Sequence, residues 1–112
     1  MGAEQRRHPR VAIPVDGRWQ GGSGGAHCRI SDISLGGCYI QCLSQAARGE
    51  ETTVTICFSP ARSMTLPGSV VYSDPRMGFA VEFYAMAPDT QEELRQEIAA
   101  LVARRATARV PA

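Results

Sequence analysis

Two polar stretches of this chain hold the residue types best suited to binding chemistry. Residues 6–10 read RRHPR, and residues 32–37, which begin 22 positions after the first stretch ends, read DISLGG. An arginine cluster near a terminus is most often a solvated tail, and Asp-x-Ser before two glycines most often closes a turn. Their joint occurrence, in this order and in a chain of 112 residues, favours one binding site built from both stretches.

The side chains of the two stretches match the functional groups of a guanine nucleotide. Guanine presents O6 and N7 as acceptors on one edge, which the planar guanidinium of Arg6 or Arg10 can bind with two hydrogen bonds. Its N1–H and amino group need two acceptor oxygens in one plane, which the carboxylate of Asp32 supplies. Phosphate oxygens favour charged donors, hydroxyls and a glycine-lined turn, for which Arg10, Ser34 and Gly37 are the candidates.

The spacing within the arginine stretch supports this assignment. Pro9 disfavours helical backbone at His8, so the stretch should be extended. Arg6 and Arg10 then lie on one side of the chain, roughly 13 Å apart, which is wide enough to straddle a nucleotide.

The second stretch also has a suitable spacing. Asp32 and Ser34 are two residues apart at a predicted strand end, so both should lie on one face, roughly 7 Å from each other. Gly36 and Gly37 then turn the chain. We therefore predict that the carboxylate and the hydroxyl point the same way.

The pair R-x-x-x-R and D-x-S-x-x-G resembles the signature of PilZ domains, small bacterial β-barrels whose typical ligand is the second messenger cyclic di-GMP (c-di-GMP). Residues 78–83 (GFAVEF) are similar to the last strand of these barrels, so the resemblance covers roughly residues 5–84. It implies a six-stranded antiparallel PilZ-type β-barrel followed by one α-helix, acting as a stand-alone c-di-GMP receptor. It also implies that the ligand-binding residues are Arg6, Arg7, Arg10, Asp32, Ser34, Gly36 and Gly37.

The resemblance further implies how such a receptor signals. Its N-terminal arginine segment would be mobile when empty, become ordered over the bound ligand, and present a changed surface to an unidentified downstream protein. Gln5 stands where members that bind two stacked ligand molecules carry a further arginine, so one ligand per site is expected, with substitution by Arg7 as a stacking or phosphate partner as the alternative. The alternative is a PilZ-like adaptor that acts through protein contacts without ligand.

Composition limits the other function classes. The chain is 44% hydrophobic, which suits one compact domain, and its net charge of +1 gives no overall field to recruit nucleic acid or an anionic membrane. It has no 18-residue apolar run and no apolar stretch of a signal peptide near its start, so we expect a cytoplasmic protein without a membrane partner. With 6% aromatic residues, a nucleic-acid-binding barrel is disfavoured.

We expect neither catalysis nor a cofactor. His8 and His27 are the two histidines of the chain, and neither lies in a Ser-His-Asp or Cys-His pattern. The four cysteines form no C-x-x-C pair and are expected to be free thiols on or near the core, with a zinc site that includes His27 as the alternative. These cysteines are Cys28, Cys38, Cys42 and Cys57.

Alternating apolar residues predict short strands along most of the chain. The predicted strands cover residues 11–20, 26–31, 38–43, 53–59, 64–73 and 77–84. The predicted organisation is a flexible arginine segment at 1–10, a barrel at 11–88, a helix at 89–105 and a disordered tail at 106–112. Tyr39 is out of phase with Cys38 and Ile40, so one of the two sets faces outward, and its role is either packing or ligand contact. Trp19 is expected to pack.

The last part of the chain has a helical pattern. Asp89 can cap a helix, with Glu92 three positions later, and the helix should run from Thr90 to Arg105. Its apolar stripe consists of Leu94, Ile98, Leu101 and Val102. We expect this stripe to pack on the barrel, with a dimer contact as the alternative, so the protein should be a monomer or a weak homodimer.

Overall fold

Six antiparallel strands close into a barrel, and one helix follows them. A computed structural model describes residues 9–43 and 46–109, the last three of them without their side chains. Within these residues the elements are β1 (Val15–Gly21), β2 (Gly24–Ile33), β3 (Gly37–Gln41), β4 (Glu51–Ser59), β5 (Arg62–Asp74), β6 (Gly78–Phe83) and α1 (Pro88–Arg109). The order around the closed barrel is β1-β2-β3-β6-β5-β4, with every neighbouring pair antiparallel. The predicted architecture is confirmed.

The barrel interior is filled by every second side chain of each strand. Val54, Ile56 and Phe58 of β4 are almost fully buried, as the alternation predicts. Trp19 of β1 meets Phe79 of β6 edge-on across the interior, with ring centroids 5.1 Å apart. This T-shaped contact is a favoured arrangement of two aromatic rings, and Trp19 therefore packs as expected.

The strand boundaries differ from the predicted ones where proline or glycine intervenes. β1 begins at Val15 and not at residue 11, because Pro14 has no N–H to donate to a ladder. The glycine tract forms a tight turn at Gly22 and Ser23, so β1 and β2 pair up to their ends. β2 also continues past Ser31 to Ile33, which carries the second polar stretch into the sheet.

Helix α1 begins one residue earlier than the predicted cap. Pro88 is its first residue, a position that suits the fixed φ of proline, and the N–H of Gln91 donates to the carbonyl of Ala87 at 3.0 Å. Asp89 therefore lies inside the first turn, and its predicted role as the cap is wrong. Glu92 accepts hydrogen bonds from Arg95 and Gln96.

The other end of the helix also differs from the prediction. α1 continues to Arg109, so the tail predicted at 106–112 is helical over its first four residues. Ala106 and Ala108 are strong helix formers, which accounts for the extension. Residues 110–112 lie outside the described part of the chain.

The helix packs on its own barrel. Leu94 is fully buried and Leu101 is nearly so, while Arg104 donates a hydrogen bond of 3.0 Å to the carbonyl of Phe58 in β4. Val102 is 42% exposed, contrary to prediction. It lies about 80° around the helix axis from Leu94, at the edge of the buried stripe.

The cysteines are free thiols, as predicted, and Cys28, Cys38 and Cys42 pack in or against the core. Cys38 is buried, and burial raises the pKa of its thiol well above the usual range. Burial, with a smaller contribution from Cys42, raises the pKa of Cys28 to about 12. A protonated thiol is a poor nucleophile and a poor metal ligand. No group of three or more metal-ligating side chains occurs in the described residues.

Within the described residues, no helix combines the length and the apolar character that crossing a bilayer requires.

The packing of α1 predicts a stability difference between two helix positions. Leu94→Ala should lower the free energy of unfolding by about 2–5 kcal/mol, because it leaves a cavity between the helix and the barrel. Val102→Ala is the matched control and should change it by less than about 0.5 kcal/mol, since this side chain is exposed at the edge of the buried stripe. Urea denaturation measures both, and equal effects would contradict the packing described here.

Gly37 predicts a second difference, because β3 and β6 approach closely there. A Cβ at Gly37 would lie 2.2 Å from the carbonyl oxygen of Val81, whereas a Cβ at Gly22 meets nothing within 4 Å. Gly37→Ala should therefore destabilise the barrel by about 1–3 kcal/mol, and Gly22→Ala should leave its stability nearly unchanged. Thermal unfolding measures both variants. A melting temperature of Gly37→Ala equal to that of the wild type would contradict this prediction.

Candidate functional site

A short backbone pairing brings the two polar stretches together. The N–H of Val11 donates to the carbonyl of Ile33 at 2.8 Å, and the N–H of Ile33 donates to the carbonyl of Val11 at 3.1 Å. This isolated antiparallel bridge lies next to Arg10 on one side and Asp32 on the other. The convergence predicted from sequence is therefore present at these residues.

Arg10 and Asp32 form an open ion pair. Their nearest nitrogen and oxygen are 3.8 Å apart, which is beyond a hydrogen bond, and the two side chains are 44% and 22% exposed. The other carboxylate oxygen of Asp32, Oδ1, is buried and has no hydrogen-bond partner among the described residues. The guanidinium donors of Arg10 and the exposed part of the Asp32 carboxylate are thus available to a ligand.

A β-bulge sets the direction of Asp32. Ile30 pairs with Ile40, and Asp32 pairs with Tyr39, which leaves Ser31 as an extra residue in β2. In a regular strand, Asp32 would share the inward face with Ile30, because side chains two residues apart lie on the same face. The bulge moves Asp32 to the outer face and returns Ile33 to the core, where it is fully buried.

The turn after β2 is closed by Ser34. Its N–H donates to the carbonyl of Gly37 at 2.8 Å, and its hydroxyl accepts from the N–H of Gly36 at 3.1 Å. The carbonyl of Gly36 in turn accepts from the N–H of Phe83 at 2.8 Å, which fixes the turn to β6. Ser34 is 7% exposed, so its hydroxyl serves the turn in this structure.

The predicted site residues therefore divide into two sets. The structure brings together Arg10, Asp32, Ser34, Gly36 and Gly37 at one end of the β2–β3 hairpin. Arg6 and Arg7 lie outside the described residues.

Two tyrosines lie in the same cross-strand row as Asp32. Asp32 pairs with Tyr39, Tyr39 with Ala80, and Ala80 with Tyr72, across four neighbouring strands. Tyr39 lies between the buried Cys38 and Ile40, so it faces outward. Tyr72 is 54% exposed, and sequence reasoning missed it. Its only signal was the pair Val70 and Val71, which interrupts the alternation of β5.

A separate open groove lies elsewhere on the barrel. It has a volume of about 540 Å³ and borders the β1–β2 hairpin and β4. Arg18, Gln20, Thr53 and Thr55 are its main polar side chains, and none of the predicted site residues lines it. Within the described part of the chain, Arg18 is its single charged side chain, and no second charged or titratable side chain lines the groove to specify a ligand.

Solved structures share this fold at low sequence identity. The PilZ domain of YcgR from Escherichia coli, solved with c-di-GMP, has a TM-score of 0.72 and 16% identity, with 95% of this chain and 99% of that chain covered. The Bacillus subtilis inhibitor of motility MotI/DgrA has a TM-score of 0.68 and 19% identity; the match covers 94% of this chain and 53% of MotI, so this chain spans about half of that protein. The PilZ domain of CeSA from a cellulose-synthesizing bacterium has a TM-score of 0.60 and 12% identity, with 87% and 98% covered.

The family assignment comes from the sequence itself. The curated proteins contain no match to this chain. A family model described as PilZ domain matches residues 4–101, which includes both polar stretches, all six strands and most of the helix. The chain belongs to the PilZ domain family.

Proposed function

We propose that this protein is a receptor for cyclic di-GMP and not an enzyme. The observation that carries the proposal is the open pair of Arg10 and Asp32, held side by side by the bridge between Val11 and Ile33. A buried acceptor without a partner is costly, so Asp32 Oδ1 favours a ligand that brings a donor. Guanine brings two such donors, and the YcgR domain of the same fold was solved with c-di-GMP.

Each motif residue has a role in this proposal. Asp32 accepts hydrogen bonds from N1–H and the amino group of one guanine, while Arg10 donates to the O6 and N7 edge of a guanine or to a phosphate. Arg6 and Arg7 supply further positive charge to the phosphodiester ring. Ser34 and the glycines after it hold the turn that borders the ligand. They therefore contribute by fixing the shape of the binding surface.

The output of binding is proposed to be a change in the N-terminal segment. Residues 1–10 carry three arginines, one glutamate and almost no apolar side chain, so their ordering depends on contacts with an anionic ligand. Ligand binding thus orders this segment against the barrel and creates a surface for a downstream protein. The free thiols suit a reducing compartment, which supports a cytoplasmic receptor.

Calorimetric titration of the full chain with c-di-GMP tests this function. The wild type should give a saturable heat at tens of micromolar ligand. Arg10→Ala and Asp32→Asn should each weaken binding roughly 10- to 100-fold, because each removes charge-assisted hydrogen bonds. Asp32→Asn should also reduce the preference for c-di-GMP over cyclic di-AMP, because an amide no longer offers two acceptor oxygens.

Arg18→Ala is the matched control for charge, since Arg18 is an exposed arginine of β1 outside the site. It should bind as the wild type does. No heat from the wild type, or equal weakening by Arg10→Ala and Arg18→Ala, would argue against the receptor and in favour of an adaptor that acts without ligand.

A further inference from the structure

The outer row of the barrel next to Asp32 has an unusual composition. It consists of a carboxylate on β2, a tyrosine on β3, an alanine on β6 and a tyrosine on β5, in register across four strands. Ala80 is the small member, with an aromatic ring on each side of it. The row therefore contains a gap between the two rings.

A second β-bulge places Tyr72 in this row. Val70 pairs with Val81 and Tyr72 pairs with Ala80, which leaves Val71 as an extra residue. In a regular strand, Tyr72 would lie on the same inward face as Val70. The bulges at Ser31 and Val71 thus have the same effect. Each places on the outer face a polar or aromatic residue that regular alternation would point into the core.

The size of the gap suits one aromatic ring. Neighbouring strands are roughly 4.8 Å apart, so β3 and β5 lie about 10 Å apart across β6. Offset-stacked rings have centroids roughly 4.5 Å or more apart, so a ring held between two others needs about 9–10 Å.

We propose that Tyr39 and Tyr72 form a slot over Ala80 that takes a purine ring of the ligand by stacking. This inference rests on the proposed function, because a dinucleotide with one base edge at Asp32 carries a second base to an adjacent position. Every base has a π-face, so the slot adds affinity without distinguishing guanine from adenine. Asp32 provides the guanine selectivity, and the tyrosines act as positioning residues for the second base.

Tyrosine ring resonances give a direct readout of the slot. The chain has three tyrosines, and the third, Tyr84, lies outside the row, after the end of β6. With tyrosine-specific isotope labelling, saturating c-di-GMP should move the ring protons of Tyr39 and Tyr72 upfield, because they face the plane of a stacked purine. The Tyr84 ring protons should not move. Phenylalanine substitution at each position assigns the signals.

Affinity measurements complement the spectra. Tyr72→Leu should weaken c-di-GMP binding roughly 5- to 100-fold, the usual worth of one base stacked on an aromatic ring, without changing the preference for guanine. Tyr72→Phe keeps the ring and should bind nearly as the wild type does. Ala80→Leu should weaken binding by filling the slot from the outer face. Tyr84→Leu is the matched control and should have no effect.

The outcomes separate the slot from the receptor. If the wild type binds with a dependence on Arg10 and Asp32, but the Tyr39 and Tyr72 rings do not shift and Tyr72→Leu binds normally, the slot is wrong and the receptor stands. If Tyr72→Phe weakens binding as much as Tyr72→Leu, the hydroxyl and not the ring is responsible, and stacking is overturned. If the wild type does not bind c-di-GMP, both proposals fail.

Discussion

The pairing of Val11 with Ile33 is the constraint on which the site depends. β2 is fixed by the closed barrel, so Asp32 has one position, but Arg10 precedes the first strand and has no ladder of its own. Two backbone hydrogen bonds attach the chain next to Arg10 to the end of β2. They place a guanidinium beside a carboxylate without forcing a tight ion pair, and both groups keep capacity for a ligand.

Features around Asp32 also lower the local stability of the barrel. Asp32 Oδ1 is buried without a partner among the described residues, and such an acceptor costs about 1–3 kcal/mol. A bulge interrupts the ladder at Ser31, and another does so at Val71. Both defects lie in the two strands that supply the ends of the row from Asp32 to Tyr72. Bulges tend to occur where a strand must redirect a side chain for function, and here each one directs a residue outward.

Sequence reasoning succeeded where regular alternation governs the chain. The inward phase of Val54, Ile56 and Phe58 predicted β4, and the two polar motifs predicted the convergence of Arg10 with Asp32. It failed where a bulge adds one residue to a strand, because the bulge reverses which face of the sheet each later side chain of that strand occupies. For this reason the extension of β2 beyond Ser31 and the outward position of Tyr72 had no clear signal. The start of α1 at Pro88 was missed because Pro88 and the adjacent Asp89 each suit a helix start.

A proline substitution at Val11 tests the central claim most directly. Val11→Pro removes the N–H that donates to Ile33 but keeps Arg10, Asp32 and every other proposed ligand contact. Ala12→Pro is the control, because Ala12 is exposed and a proline there favours the extended backbone that Val11 needs for the bridge. Calorimetry with c-di-GMP should show binding weakened roughly tenfold in Val11→Pro and unchanged in Ala12→Pro. Wild-type affinity in Val11→Pro would contradict the claim that this bridge positions the site.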